Sequence, residues 1–165
     1  MEFANDLLYL SRQLAILDGE TPRQATLRRS ISTAYYALFH LLISSAAENW
    51  NRTETRAAFG RLFEHGKMKS ACDKCVSDLK KNVDGNPSQP LRSVISEHLL
   101  TVAKAFVQIH QLRSDADYDV SIKWTQSDVI LYLGVVSEAF KSWQIIKEEP
   151  AAQDFLFSML NKNRI

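Results

Sequence analysis

Glycine and proline are scarce in this chain, five and four residues of 165, and they fall between periodic segments instead of inside them. That is how a bundle of long helices is punctuated. Cysteine is nearly absent: Cys72 and Cys75 form a lone C-x-x-C, with no second C-x-x-C or suitably spaced histidine pair to complete a tetrahedral zinc set. There is also no βαβ pattern to give the pair a thioredoxin-like setting, so both read as reduced thiols packed as small hydrophobes. Excess charge is missing too. Twenty basic against nineteen acidic residues leave a net charge of +1, which argues against a dedicated duplex binder and requires any nucleic-acid contact to come from a local patch. No apolar run approaches the roughly 20 residues of a membrane span, and the N-terminus lacks a basic leader region. A cytoplasmic protein is the expectation, without internal repeats or low-complexity segments.

What is present is ordinary for one globular domain, with 45% apolar and 24% charged residues and strong helical periodicity. The pattern predicts an all-α fold, a bundle of long helices over residues 1–149, and a short C-terminal helical segment over 150–165. The first helix is expected from Phe3 to Leu17 and ends at Asp18-Gly19-Glu20. Thr21-Pro22-Arg23-Gln24 reads as a capping box that opens a long second helix to about Asn49, with Leu27, Ile31, Ala34, Leu38, Leu41 and Ser45 facing the core. A third, shorter helix is expected to close at His65-Gly66, followed by a helical turn or two from Met68 to Leu79. Residues 80–90 carry turn residues throughout and read as a flexible loop within the domain. A fourth helix is predicted from Pro90 to about Asp117. A fifth runs from Gln126 to Glu149, with Thr125 as N-cap and Asp128 in the first turn. The last helix, Ala151 to Leu160, is too apolar for a solvated tail and should dock on the bundle or on a partner.

The fourth helix carries a stripe of Leu91, Ile95, His98, Val102, Phe106, Ile109, Arg113 and Asp117, at spacings of three and four. Continued one turn past the apolar residues, it turns Arg113 and Asp117 inward. Arg113-Ser-Asp-Ala-Asp117-Tyr118 thus sets a fixed cation, two carboxylates and a phenol at a helix end. Two readings stay open: an i,i+4 ion pair that fixes the following loop, and an anion site, since guanidinium presents a planar fork of donors to phosphate oxygens. In the second helix, Arg29, Thr33, Tyr36 and His40 align on one side, with Arg28, Ser32, Tyr35 and Phe39 on the adjacent one. Aromatic packing at the bundle edge accounts for that row as well as ligand binding does.

Ala34-Tyr-Tyr-Ala-Leu-Phe-His40, then Phe63-Glu-His65-Gly-Lys-Met68, then Leu112-Arg113-Ser-Asp-Ala-Asp117-Tyr118-Asp119 together resemble the HEPN superfamily of prokaryotic helical domains, over about residues 5 to 147. The resemblance implies an up-and-down bundle of four to five long helices that commonly dimerises, bringing the arginine-bearing helix ends of two protomers into one cleft. Many members are RNases of toxin–antitoxin and antiviral systems that cut RNA without a metal or other cofactor, through an Arg-x4-6-His motif. Arg113 matches that arginine, but no histidine follows at the required spacing, and Tyr118 stands in its place.

This departure weakens catalysis, because a phenol with a pKa near 10 is a poor stand-in for a histidine that exchanges protons near neutrality. His110, three residues before Arg113 on the same face, is a partial substitute. His65 reads as structural and His98 as a packed edge residue. Two functions follow as expectations. One is a non-catalytic module that binds RNA, a nucleotide or a partner protein, with Arg113, Asp117, Tyr118 and His110 at its centre and Arg29, Tyr36, His40 and Asp115 contacting the ligand. The other is a metal-independent endoribonuclease toxin built on the same residues. The resemblance also implies a nucleotidyltransferase partner that modifies Tyr118. A local basic patch for RNA would draw on Arg28, Arg29, Arg113 and Lys123.

Overall fold

The computed structural model describes residues 1–83 and 90–160, except the side chains of 80–83 and 90–93. Its helices are α1 (Glu2–Ile16), α2 (Gln24–Glu48), α3 (Arg56–Gly60), α4 (His65–Val83), α5 (Pro90–Tyr118), α6 (Gln126–Ile146) and α7 (Pro150–Ser158), with a 3-10 turn at Thr53–Thr55 leading into α3. Among the described residues there is no strand, only an isolated bridge between Phe63 and Leu160. Five long helices therefore make an all-α bundle. Residues 84–89 of the expected loop, and 161–165 of the C-terminal segment, lie outside the described residues.

α2 is the central helix, packed against α1, α5 and α6. Its predicted stripe is realised, with Leu27, Ile31, Ala34, Leu38, Leu41 and Ser45 all buried. Each large apolar side chain so buried stabilises the fold by about 1.5–3 kcal/mol before the entropy cost is counted. α1 runs antiparallel to it: Phe3 meets the His40 ring, and Ser30 Oγ donates to the Ser11 carbonyl at 2.7 Å. α5 also crosses α2 antiparallel, so Phe106 lies by Tyr35 while Asp117 reaches Ser32. From α6, the buried Trp143 donates its indole N–H to Ser45 Oγ at 2.7 Å, which removes the penalty for burying that polar edge.

The capping box of α6 forms as expected. Thr125 Oγ1 accepts from the Asp128 N–H at 3.1 Å and Asp128 accepts from the Thr125 N–H at 3.3 Å. At α2 the expectation is corrected. The helix starts at Gln24 behind Arg23, with no side-chain cap. Gln24 is committed elsewhere: its amide donates to the Trp124 carbonyl at 2.8 Å and accepts from the Trp124 N–H at 2.9 Å. Satisfying both main-chain groups of a residue in the α5–α6 connection outweighs a local cap. Asp18 instead holds the α2 entry, accepting from the Arg23 N–H at 3.0 Å and from its guanidinium at 2.6 Å. Gly19 closes α1 with a φ of +62°, a conformation that costs a side-chain-bearing residue strain.

The helix expected to end at His65-Gly66 is also corrected. α3 stops at Gly60, and His65 opens the 19-residue α4. Phe63, buried and bridged to Leu160, fixes the turn between them. α7 docks on its own bundle, burying Ala152, Phe155 and Leu156. α6 is long and apolar enough by composition to cross a membrane, contrary to expectation. Its apolar residues Val129, Leu133, Val136, Phe140 and Ile146 are core residues here.

Candidate anion-binding site

The end of α5 meets the middle of α2 around Arg113. Its guanidinium carbon lies 5.7 Å from the ring centres of both Tyr35 and Tyr36, and 5.8 Å from that of Tyr118. Three π faces thus stabilise one cation. A guanidinium NH2 group donates to the Tyr36 hydroxyl at 3.2 Å. Asp117 Oδ2 lies 2.8 Å from Arg113 Nε, as the i,i+4 spacing predicts, with the two side chains 20% and 24% exposed. That Nε–H is sealed from solvent and does not point along the line to the carboxylate, so the contact is an ion pair without an aligned hydrogen bond. The other oxygen of Asp117 accepts from Ser32 Oγ at 2.5 Å. The carboxylate is therefore shared between α2 and α5, and the cation keeps a face toward solvent.

Tyr35, completely buried, is the hub beneath this cation. Its hydroxyl lies 2.5 Å from His65 Nδ1, and its ring centre is 5.6 Å from those of His65 and His110. The first turn of α4 therefore delivers a histidine to the arginine-bearing end of α5. Burial first, then the positive charges of Arg113 and His40, hold His65 below the ordinary histidine value. Burial first, then Lys69, His65 and Arg113, do the same for His110, against an opposing pull from Asp73. Both imidazoles are neutral at pH 7. The Nδ1 of His110 is sealed without a partner, so proton exchange there must use its other nitrogen.

Of the residues expected in the site, Arg113, Asp117, Tyr118 and Tyr36 come together, with His110 reaching them across the Tyr35 ring. His40 sits at the rim between Phe3 and Phe39, and burial holds it too below the ordinary value. Asp115 turns away, accepting from Gln111 Nε2 at 2.8 Å, and Arg29 is exposed outside the cluster.

His65, which reads as structural in the His-Gly-Lys turn, does hold the hydroxyl of the buried Tyr35, and the fold also sets it beside the Arg113 cluster. Arg28, counted toward a basic patch, is spent on carbonyls: its guanidinium donates to those of Ala116 at 2.8 Å, Asp119 at 2.9 Å and Ile122 at 2.6 Å. It caps the end of α5 and fixes the turn that carries Tyr118.

An apolar pocket of about 140 Å³ lies elsewhere, between α2, α3 and α7, lined by residues including Phe59, Phe63 and Leu156. It shares no residue with the Arg113 cluster and offers no charged group. Among the described residues, no group of three His, Cys, Asp or Glu side chains is placed to hold a metal ion. Cys72 is buried and Cys75 half-buried; both thiols are free, and burial pushes Cys75 up to about 11, which keeps it protonated. No family model matches the chain, and neither a curated protein nor a solved structure matches it.

Proposed function

We propose that this chain is a HEPN-like helical module that binds a phosphate of RNA or of a nucleotide at Arg113. The observation that carries this reading is the setting of that arginine: a cation one-fifth exposed, clasped by three aromatic rings, with one imperfectly aligned carboxylate as counter-ion. Here a phosphate can take the open donors while Ser32 retains Asp117. Tyr118, 74% exposed, adds a ring on which a base can stack. Binding of a labelled single-stranded oligoribonucleotide at low salt tests the reading. Arg113→Ala should weaken it at least tenfold with helical content unchanged; equal affinity would refute it.

A second reading, a metal-independent endoribonuclease of a toxin–antitoxin or defence system, is favoured by the two histidine rings packed on Tyr35, the same ring the Arg113 guanidinium lies against. In that reading the RNA's own 2′-hydroxyl loses its proton to His110 and attacks phosphorus, Arg113 balances the phosphorane charge, and the P–O5′ bond breaks as the 5′-oxygen takes up a proton, leaving a 2′,3′-cyclic phosphate and a 5′-hydroxyl. RNA cut in EDTA by the parent and left intact by Arg113→Ala is the expected result; intact RNA with both proteins would remove it. A homodimer, and a nucleotidyltransferase acting on Tyr118, are proposed from the resemblance. The exposure of Tyr118 and of Val120, at 79%, supports an accessible helix end.

A further inference from the structure

We propose that His65, locked by Tyr35 as a neutral Nε2–H donor, is a second contact for the ligand that Arg113 grips, a contact resting on the phosphate reading above. The direction of the Tyr35–His65 hydrogen bond follows from satisfaction. Tyr35 is wholly buried, and its hydroxyl has no acceptor other than His65 Nδ1 among the described residues. Were the imidazole to donate through Nδ1, the phenol hydrogen would be left unpaired in the core. The phenol therefore donates, Nδ1 accepts, and the ring proton resides on Nε2.

That Nε2–H makes no hydrogen bond within the described residues, and it is not one of their sealed, unpartnered side-chain atoms, which are His110 Nδ1, Arg113 Nε and Trp124 Nε1. His65 itself is half-buried. Its position relates it to the arginine: the His65 ring lies 5.6 Å from Tyr35 and 6.1 Å from Tyr36, the same two rings that Arg113 approaches at 5.7 Å each. Imidazole and guanidinium flank one aromatic pair. A ligand whose phosphate engages Arg113 can place a neighbouring oxygen, of ribose or of the next phosphate, on His65. Because the imidazole is uncharged, this contact adds affinity without displacing counter-ions, unlike that of Arg113.

The test measures dissociation constants of a labelled single-stranded oligoribonucleotide across a salt series, for the parent, Arg113→Ala, His65→Ala and His65→Gln. Arg113→Ala should lower both affinity and the salt slope. His65→Ala should weaken binding roughly tenfold at an unchanged slope, and His65→Gln, whose amide N–H stands near the position of Nε2–H, should recover most of the loss. Ring-nitrogen NMR of the parent should find the His65 proton on Nε2, a reading that needs no variant to fold. Unchanged affinity in His65→Ala, a slope that falls with it, or a proton on Nδ1 would overturn the His65 contact while leaving the Arg113 reading intact. A parent that does not bind the oligonucleotide overturns the phosphate reading and this contact together.

Discussion

Arg113 is an ion-pair partner for Asp117 and, in the proposed reading, a cation that takes a ligand, and the two roles can be separated by substitution. Because the pair is partly exposed and Asp117 retains Ser32, Arg113→Ala should cost only about 1 kcal/mol of stability by chemical denaturation. A loss several times larger would mark the arginine as chiefly structural. Tyr35→Phe leaves His65 Nδ1 without its donor, and a cost of about 1–2 kcal/mol is expected. The histidines also set a pH dependence. His40, His65 and His110 all have folded values held below the ordinary 6.5, by burial in each case, so the unfolded chain binds more protons. Their contribution is fully present above about pH 6.5 and is lost as the pH falls through the folded values. Unfolding midpoints should therefore drop between pH 7 and 5, and substituting glutamine for His65 should flatten that drop.

At the scale of the element, Arg28 ties the end of α5 to α2 through four carbonyls, those of Asp115, Ala116, Asp119 and Ile122. Arg28→Met keeps much of the side-chain stem and removes the donors. It should cost about 1.5–3 kcal/mol and speed hydrogen exchange from Asp119 to Ile122, with α1 unaffected. The core stripes of α2 and α5 were legible in sequence because burial follows the helical repeat, and the Arg113–Asp117 pair because i,i+4 is a local relation. The start of α4 was not legible. His65-Gly66 looks like the close of a helix, yet the Met68 N–H already bonds the Glu64 carbonyl as the first turn of α4, and the Tyr35 partner of His65 lies thirty residues earlier. The same non-local logic hid Arg28, whose acceptors lie about ninety residues away. Gln24 was misread for a related reason: a long-range main-chain partner displaced the local cap.

For the molecule as a whole, α2 and α6 share one core through Trp143, which is buried without remainder and bonded to Ser45. Trp143→Ala should cost about 3–5 kcal/mol and lower the cooperativity of unfolding across the bundle. The balanced charge of the chain leaves recognition to one end of it, where α2, α4 and α5 meet and where a cation and neutral imidazoles surround a buried tyrosine. Binding there should be moderate and only shallowly dependent on salt, because few phosphates are neutralised. The most direct measurement is the affinity of the parent and Arg113→Ala for one labelled single-stranded oligoribonucleotide at low salt, with circular dichroism on both. Measurable binding by the parent, at least tenfold weaker binding by the variant and identical helical content are the expected results. Equal affinities, or a variant that has lost its helices, would contradict an anion site at Arg113.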